Sequence, residues 1–186
     1  VISGALSGGG AWSIEQARID GLNPAAFDAA VAASDAGRLN GETALRDLMT
    51  KSLRGAPLSV ASVQIPFNVR DGGLRVAQTT LDGDGARLVV SGGYDFTADQ
   101  FDLRAELAST RLGAGADRPA IEIFAHGPPD RLNRNLDIAL VSSWLAVRAI
   151  DRETRRLELL ERAAPAAPPP ASAALPAPAA PPAEAP

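Results

Sequence analysis

The chain has 186 residues, of which 22 are acidic and 18 are basic, giving a formal net charge of −4. Because it has no cysteine, it can form neither a disulfide framework nor a zinc knuckle, and it has no thiol nucleophile. A net acidic chain makes a poor nucleic-acid partner, since phosphate-backbone binding needs a basic face. One histidine, His126, cannot make a multi-histidine metal site.

The composition also predicts how the chain is organised. Residues 163–186 include 12 alanines and nine of the 15 prolines. Such a segment cannot bury enough apolar surface to become ordered, so we predict a disordered tail there and one domain over residues 1–162. No run approaches the roughly 18 apolar residues of a membrane-spanning helix. Since the chain begins at Val1, we expect any N-terminal anchor of the intact protein to lie outside it.

The first third of the sequence predicts strands followed by two short helices. The glycine-punctuated segment 3–20 is typical of a strand pair. Asn23 and Pro24 indicate a helix start, because asparagine caps a first turn and proline needs no N–H there. This helix ends near Gly37. A second one, with apolar residues at helical spacing, follows from about residue 41 to Gly55.

From Leu58 the apolar residues alternate with polar ones, which is the period of a half-buried strand. Turn-forming segments at 71–73, 82–85 and 97–100 divide this region, and a last strand is predicted at 121–126. We therefore predict an antiparallel β-meander. The residues expected to line its apolar face, either as core or as a groove, are Val63, Ile65, Phe67, Val69, Leu74, Val76, Leu88, Val90, Phe101 and Leu103.

A long helix is predicted from about residue 136 to 162. Its first half has a broad apolar face, and its second half carries ion pairs at helical spacing, such as Asp151 with Arg155. The complete prediction is an α+β fold. It consists of a twisted, groove-like antiparallel sheet with two short helices near the N-terminus and a long C-terminal helix.

None of the candidate chemical motifs predicts catalysis. The segment 7–10 is glycine-rich but lacks the lysine that follows in a phosphate-binding loop. The Asp-Gly-Asp-Gly run at 82–85 lacks the further ligands of a calcium loop and is typical of a hairpin turn. His126 precedes a Gly-Pro-Pro breaker and has no nucleophile or acid among its neighbours. We expect no enzymatic activity, no metal and no cofactor.

The apolar face of the sheet leaves two interpretations open. Helices could cover it completely to make an ordinary α+β core, or part of it could stay open as a hydrophobic groove for acyl chains. Periodicity alone favours the covered face, because large exposed apolar patches are uncommon on soluble domains.

Three segments nevertheless resemble the C-terminal region of AsmA-family proteins: 9–28, 58–107 with its Val-Ser-Gly-Gly-Tyr-Asp-Phe run at 90–96, and 143–158 with its Ser-Trp-Leu-Ala-Val start. The resemblance covers about residues 2–162. Members of this family are anchored in the inner membrane and extend into the periplasm. They resemble bridge-like proteins whose β-grooves conduct phospholipids toward the outer membrane, and they have no catalytic residues or cofactor.

The resemblance therefore implies a non-catalytic periplasmic domain that supports outer-membrane biogenesis and holds phospholipid acyl chains on its apolar face. Its membrane association would depend on an N-terminal anchor outside this chain. The alternative is an envelope protein-interaction module that uses the charged end of the last helix and the tail, without binding lipid.

Overall fold

The structure is a computed structural model that describes residues 7–115 and 117–163. Within these ranges it confirms the α+β fold, with two short helices near the N-terminus, between the first and second strands, and a long helix after the last strand. The elements in chain order are β1 (Gly8–Ile19), α1 (Ala25–Asp35), α2 (Glu42–Leu53), β2 (Leu58–Arg70), β3 (Gly73–Asp82), β4 (Ala86–Asp95), β5 (Gln100–Ser109), β6 (Ala120–Gly127), β7 (Asn133–Asp137) and α3 (Ala139–Ala163). The predicted disordered tail lies, from residue 164 onward, outside the described residues.

All seven strands form one antiparallel sheet in which spatial order equals chain order. Each strand therefore pairs with its neighbours in sequence. The connection from β1 to β2 contains α1 and α2, and the later connections are shorter loops and turns. Strands β2 and β3 pair along only part of their length: their ladder runs from Phe67–Val76 to Arg70–Gly73, and one isolated bridge joins Val60 to Gly83.

Two details of the strand prediction were wrong. The segment predicted as a strand pair is one strand, β1, which pairs with β2. Gln16 has a φ of 54° there, and the apolar positions shift from Trp12 and Ile14 to Ala17 and Ile19 across it, which resembled a turn in the sequence. Strand β7 was missed because four of its five residues are polar and exposed, and the last helix accordingly begins at residue 139 rather than 136.

A β-bulge in β3 keeps the apolar face continuous. The register with β4 shifts between Val76 and Thr79, and the Thr79 hydroxyl donates a hydrogen bond to the Ala77 carbonyl at 3.0 Å. A bulge adds one residue, so both Val76 and Thr79 lie on the same face while Thr80 lies on the other. This explains why Thr79 is buried and Thr80 is exposed.

One hydrophobic core joins the helices to the sheet. Helix α1 contributes Phe27, α2 contributes Met49, and the first turns of α3 contribute Val141 and Leu145. Polar contacts hold the same helices in place: Arg148 of α3 pairs with Asp35 of α1 at 3.1 Å, and Arg46 of α2 donates to the Leu136 carbonyl of β7.

The contacts divide the chain into two compact units, Val1–Asp151 and Arg152–Pro186. The first unit contains the sheet, α1, α2 and the beginning of α3. In the second unit the described residues, 152–163, are helical and exposed, and they include Leu157, Leu159 and Leu160 at 52–63% exposure.

Candidate functional site

The strand register places the ten predicted lining residues on one face of the sheet. Residues that lie directly opposite each other on neighbouring strands share a face. Phe67 lies opposite Val76, which lies opposite Gly92, which in turn lies opposite Leu103. The other lining residues follow at every second position along these strands, with the β3 bulge correcting the alternation.

One part of this face is covered by the helices. Val63 is 9% exposed and Leu88 is 4% exposed, and both belong to the core that contains Phe27 and Met49. This part, called the covered half, consists of Leu58, Val60, Val63, Leu81, Leu88, Ala105, Leu107 and Ile121. For Val63 and Leu88 the structure therefore supports the role of core residues rather than groove lining.

Ile65 and Val90 lie at the boundary. Both are partly buried and pack against the core. A substitution at either position would disturb the core as well as the uncovered surface next to it, so neither separates the two roles.

The face continues beyond the helices. The six remaining predicted residues are only half-buried, and they belong neither to the core nor to the side chains packed against it. Trp12 and Tyr94, which were not among the ten, join them through their pairing with Ile65 and Phe101. This part, called the open half, consists of Trp12, Phe67, Val69, Leu74, Val76, Tyr94, Phe101 and Leu103.

Aromatic side chains are concentrated at this end of the sheet. Five of the eight aromatic residues of the chain lie in the open half or in the turn beside it. The Trp12 and Phe67 rings stack with their centroids 4.3 Å apart, and Tyr94 packs on Phe101 at 4.5 Å and on Phe96 at 5.2 Å. Trp12 and Phe96 are nevertheless 43% and 44% exposed. Large apolar rings are thus presented to the surroundings.

Hydrogen bonds fix the turn that borders the open half. The Tyr94 hydroxyl donates to the Asp99 carboxylate, and this bond raises the pKa of Tyr94 because it favours the neutral phenol. The Asp95 carboxylate accepts hydrogen bonds from the Thr97 hydroxyl at 2.6 Å and the Ala98 N–H at 3.0 Å. These bonds lower the pKa of Asp95, with the Thr97 hydroxyl as the main cause.

The glycine-rich segment, the Asp-Gly-Asp-Gly run and His126 lie at ordinary positions in strands and turns. Residues 8–10 of the glycine-rich segment are the first residues of β1. The 82–85 run is the turn between β3 and β4, where Asp82 pairs with Arg87 at 2.7 Å and Asp84 with Arg111 at 3.4 Å. The exposed His126 lies opposite Asp102 on β5.

Two features are absent from the described part of the chain, residues 7–115 and 117–163: a cluster of metal-binding side chains and a membrane-spanning helix. It contains no group of three His, Asp or Glu side chains that could hold a metal ion. None of its helices is both long enough and apolar enough to cross a membrane.

The apolar face was visible in the sequence, but its division into two halves was not. The alternation from Val63 to Leu103 identified the face itself. It could not separate the two halves, because all ten residues follow the same alternation and only the position of α1 and α2 distinguishes them.

Comparisons with protein-family models, with curated proteins and with solved structures find no match for this chain.

Proposed function

We propose that the chain is a non-catalytic lipid-binding domain that holds phospholipid acyl chains on the open half of its sheet. The observation that carries this proposal is the continuation of the core face: eight apolar or aromatic side chains follow the core on the same face. Among the described residues, six of the predicted ones lie outside the core and outside the side chains packed against it. A contiguous exposed apolar patch on a soluble domain is typical of a binding surface.

The physics of this site is simple burial. Acyl chains that lie on the open half remove apolar surface from water on both sides, which is worth about 0.8 kcal/mol per buried methylene group. Headgroups stay in water beyond the edges of the strands. No bond forms or breaks, so the function needs neither a catalytic residue nor a cofactor.

The dimensions of the open half suit chains rather than compact ligands. From Ile65 to Val69 the strand rises about 13 Å, and from β1 to β5 the sheet extends about 19 Å, at the usual spacings of about 3.3 Å per residue and about 4.8 Å per strand. The surface is lined by rings that combine a flat apolar face with, in Tyr94 and Trp12, a polar edge. Such residues are favoured where one side is apolar and the other is wet.

The resemblance to AsmA-family proteins gives this proposal its cellular setting. In that setting the domain lies in the periplasm as part of a protein tethered to the inner membrane, and its open half forms one end of a phospholipid-conducting surface that supports outer-membrane biogenesis. Acyl chains bury the apolar surface of the open half both when a lipid stays bound there and when it moves along the sheet.

Trp12 offers a direct test, because it lies in the open half. In a Trp144→Phe variant Trp12 is the remaining tryptophan, and its emission should shift to shorter wavelength when a short-chain phosphatidylethanolamine is added below its micelle concentration. In Val76→Asp, which places a charge on the open half, the lipid should no longer shift the Trp12 emission. Thr80→Asp is the matched control, since Thr80 is an exposed residue of the same strand on the opposite face.

Retained binding in Val76→Asp, with both variants folded, would remove the open half as the site. Equal loss in Val76→Asp and Thr80→Asp would show that charge on the domain, rather than the apolar surface, decides binding.

A second function is favoured by one observation on the second unit. Leu157, Leu159 and Leu160 are exposed on the charged end of α3, which suits a helical docking segment for an envelope protein. A Leu157→Asp/Leu160→Asp variant should then lose a partner in cross-linking from intact cells while it retains lipid binding. Retention of every cross-linked partner would argue against this second function.

A further inference from the structure

The opposite face of the sheet has a separate cavity of about 430 Å³, beside the first part of α3. Its floor is formed by Ala108 and Ala120, which lie directly opposite each other on β5 and β6. Since Leu107 and Ile121 next to them belong to the core, the register places this cavity on the other side of the sheet from the open half. Its volume is within the range of about 300–1,000 Å³ that small-molecule sites occupy.

One wall of the cavity is apolar and belongs to α3. It is formed by Leu140, Trp144 and Val147. The Trp144 indole N–H donates to the Asp117 carbonyl at 3.1 Å, so this ring is held in place against the loop that precedes β6. Leu140 and Val147 are 50% and 58% exposed, although they line a concave surface.

Arg118 brings an unsatisfied hydrogen-bond donor to this cavity. Its Nε atom is buried and has no hydrogen-bond partner among the residues that the structure describes. A buried donor without a partner costs free energy, and Arg118 as a whole is only partly buried, so an acceptor in the cavity meets the accessible part of its guanidinium group. The guanidinium group is always charged and presents its donors as a planar fork that matches carboxylate and phosphate oxygens.

Three other charged residues line the cavity: Arg87, Glu106 and the exposed Asp117, which is the sequence neighbour of Arg118. Arg87 forms an ion pair with Asp82 at 2.7 Å. Glu106 interacts electrostatically with Arg104, whose pKa is raised by its bond to Glu122 and further by Glu106. Within the described part of the chain, Arg118 is the lining cation that forms no ion pair, whereas Arg87 is paired with Asp82.

We propose that this cavity, called the Arg118 pocket, binds a small anionic amphiphile. Its carboxylate or phosphate group accepts hydrogen bonds from Arg118, and its short apolar part lies against Trp144, Leu140 and Val147. The site is independent of the lipid-binding face, because it lies on the other side of the sheet and uses different residues. A cavity of this size accommodates a molecule with one short chain.

Isothermal titration calorimetry on the whole chain tests this proposal with four probes: octanoate, octyl phosphate, octylammonium and inorganic phosphate. We expect octanoate and octyl phosphate to bind and octylammonium to fail. Inorganic phosphate should bind at least tenfold more weakly than octyl phosphate, because it lacks the apolar part. Equal affinity for octyl phosphate and inorganic phosphate would show that the site binds the free anion, and it would overturn the proposal of an amphiphilic ligand.

Variants locate the site. Arg118→Gln should weaken octyl phosphate binding at least tenfold, and Val147→Glu should do the same by placing a negative charge on the apolar wall. Ile150→Glu is the matched control, since Ile150 is 65% exposed on the same helix and does not line the cavity. Val147→Glu also keeps the test valid if Arg118→Gln folds poorly, because an exposed helix position tolerates the change.

Two further results would overturn the proposal. The first is unchanged octyl phosphate affinity in folded Arg118→Gln and Val147→Glu proteins. The second is loss of octyl phosphate binding in Val76→Asp with full binding in Arg118→Gln, which would assign the probe to the open half of the sheet. Failure of the lipid proposal leaves the expected effects of Arg118→Gln unchanged.

Discussion

The two halves of the apolar face have nearly the same chemistry but different surroundings. In strand β5, Leu107 is fully buried under the helices while Leu103, four residues away on the same face, is only half-buried. In β2 the same contrast separates the buried Val60 from the half-buried Val69. The comparison shows that composition and alternation make an apolar face, whereas the helices decide which part of it becomes core.

The difference also separates stability from function. The covered half buries its side chains against α1 and α2, so it supplies most of the hydrophobic free energy of folding. The open half adds little to this core and keeps rings exposed that folding alone would not favour. Exposed apolar rings that add little to the stability of the fold are the ones that a binding function explains.

The largest expected effect comes from a charge in each half. Leu107→Asp places an unpaired carboxylate in a fully buried position and should abolish folding, because the loss of several kcal/mol approaches the whole stability of a domain. Leu103→Asp should leave a cooperative thermal transition. Circular dichroism melting of the two variants measures the contrast, and equal unfolding of both would mean that the open half is core.

Truncation of large side chains sharpens the comparison. Met49→Ala removes a fully buried side chain that covers the sheet and should destabilise the protein by about 2–5 kcal/mol. Phe67→Ala removes a larger side chain, but its ring is half-buried and lies outside the core, so the loss should be clearly smaller. Urea denaturation compares them, and a loss in Phe67→Ala as large as that in Met49→Ala would contradict the division.

A backbone position in the open half is expected to be sensitive for another reason. Gly92 has a φ of 156°, and an added Cβ atom would lie 2.3 Å from the Asp102 carbonyl oxygen. Gly92→Ala should therefore destabilise the β4–β5 pairing by about 1–3 kcal/mol, as backbone strain does elsewhere. Gly8→Ala is the control, because an added Cβ there meets nothing within 4 Å. Equal stability of the two variants in urea would show that the strands adjust freely.

The smallest expected effect concerns the turn beside the open half. Since hydrogen bonds lower the pKa of Asp95 in the folded protein, its contribution to stability is present above the unfolded-state pKa and is lost as the pH falls through the folded-state pKa. Thr97→Val removes the main donor, so the pKa of Asp95 should rise toward its ordinary value of 3.8. A carbon-detected NMR titration of the Asp95 carboxyl measures this rise, and an unchanged titration would contradict the assigned cause.

Much of this fold follows from local sequence signals. Alternation from Leu58 onward and glycine-rich turns were sufficient to predict the meander, and Asn23 with Pro24 marked the start of α1, where the Asn23 side chain accepts a hydrogen bond from the Ala25 N–H at 3.2 Å. These local signals failed where tertiary contacts determine the secondary structure. The largely polar strand β7 exists through its pairing with β6, and Gln16 turns the side-chain alternation of β1 without ending the strand.

The candidate sites were predictable to different degrees. The face was visible in the sequence because its residues alternate, but its division into halves depends on where Phe27 and Met49 pack. The Arg118 pocket had no sequence signal. Its residues come from three strands, a loop and α3, and Arg118 differs from the 16 other arginines only by the unsatisfied burial of its Nε atom.

Native mass spectrometry of the protein, purified from bacterial membranes without added lipid, tests the central claim most directly. We predict a bound mass that is released on denaturation, is identified as phospholipid, and disappears in Leu103→Asp while the variant remains folded. A lipid-free mass for the unmodified protein, together with a cooperative thermal transition, would contradict the claim and leave the open half without an acyl-chain ligand.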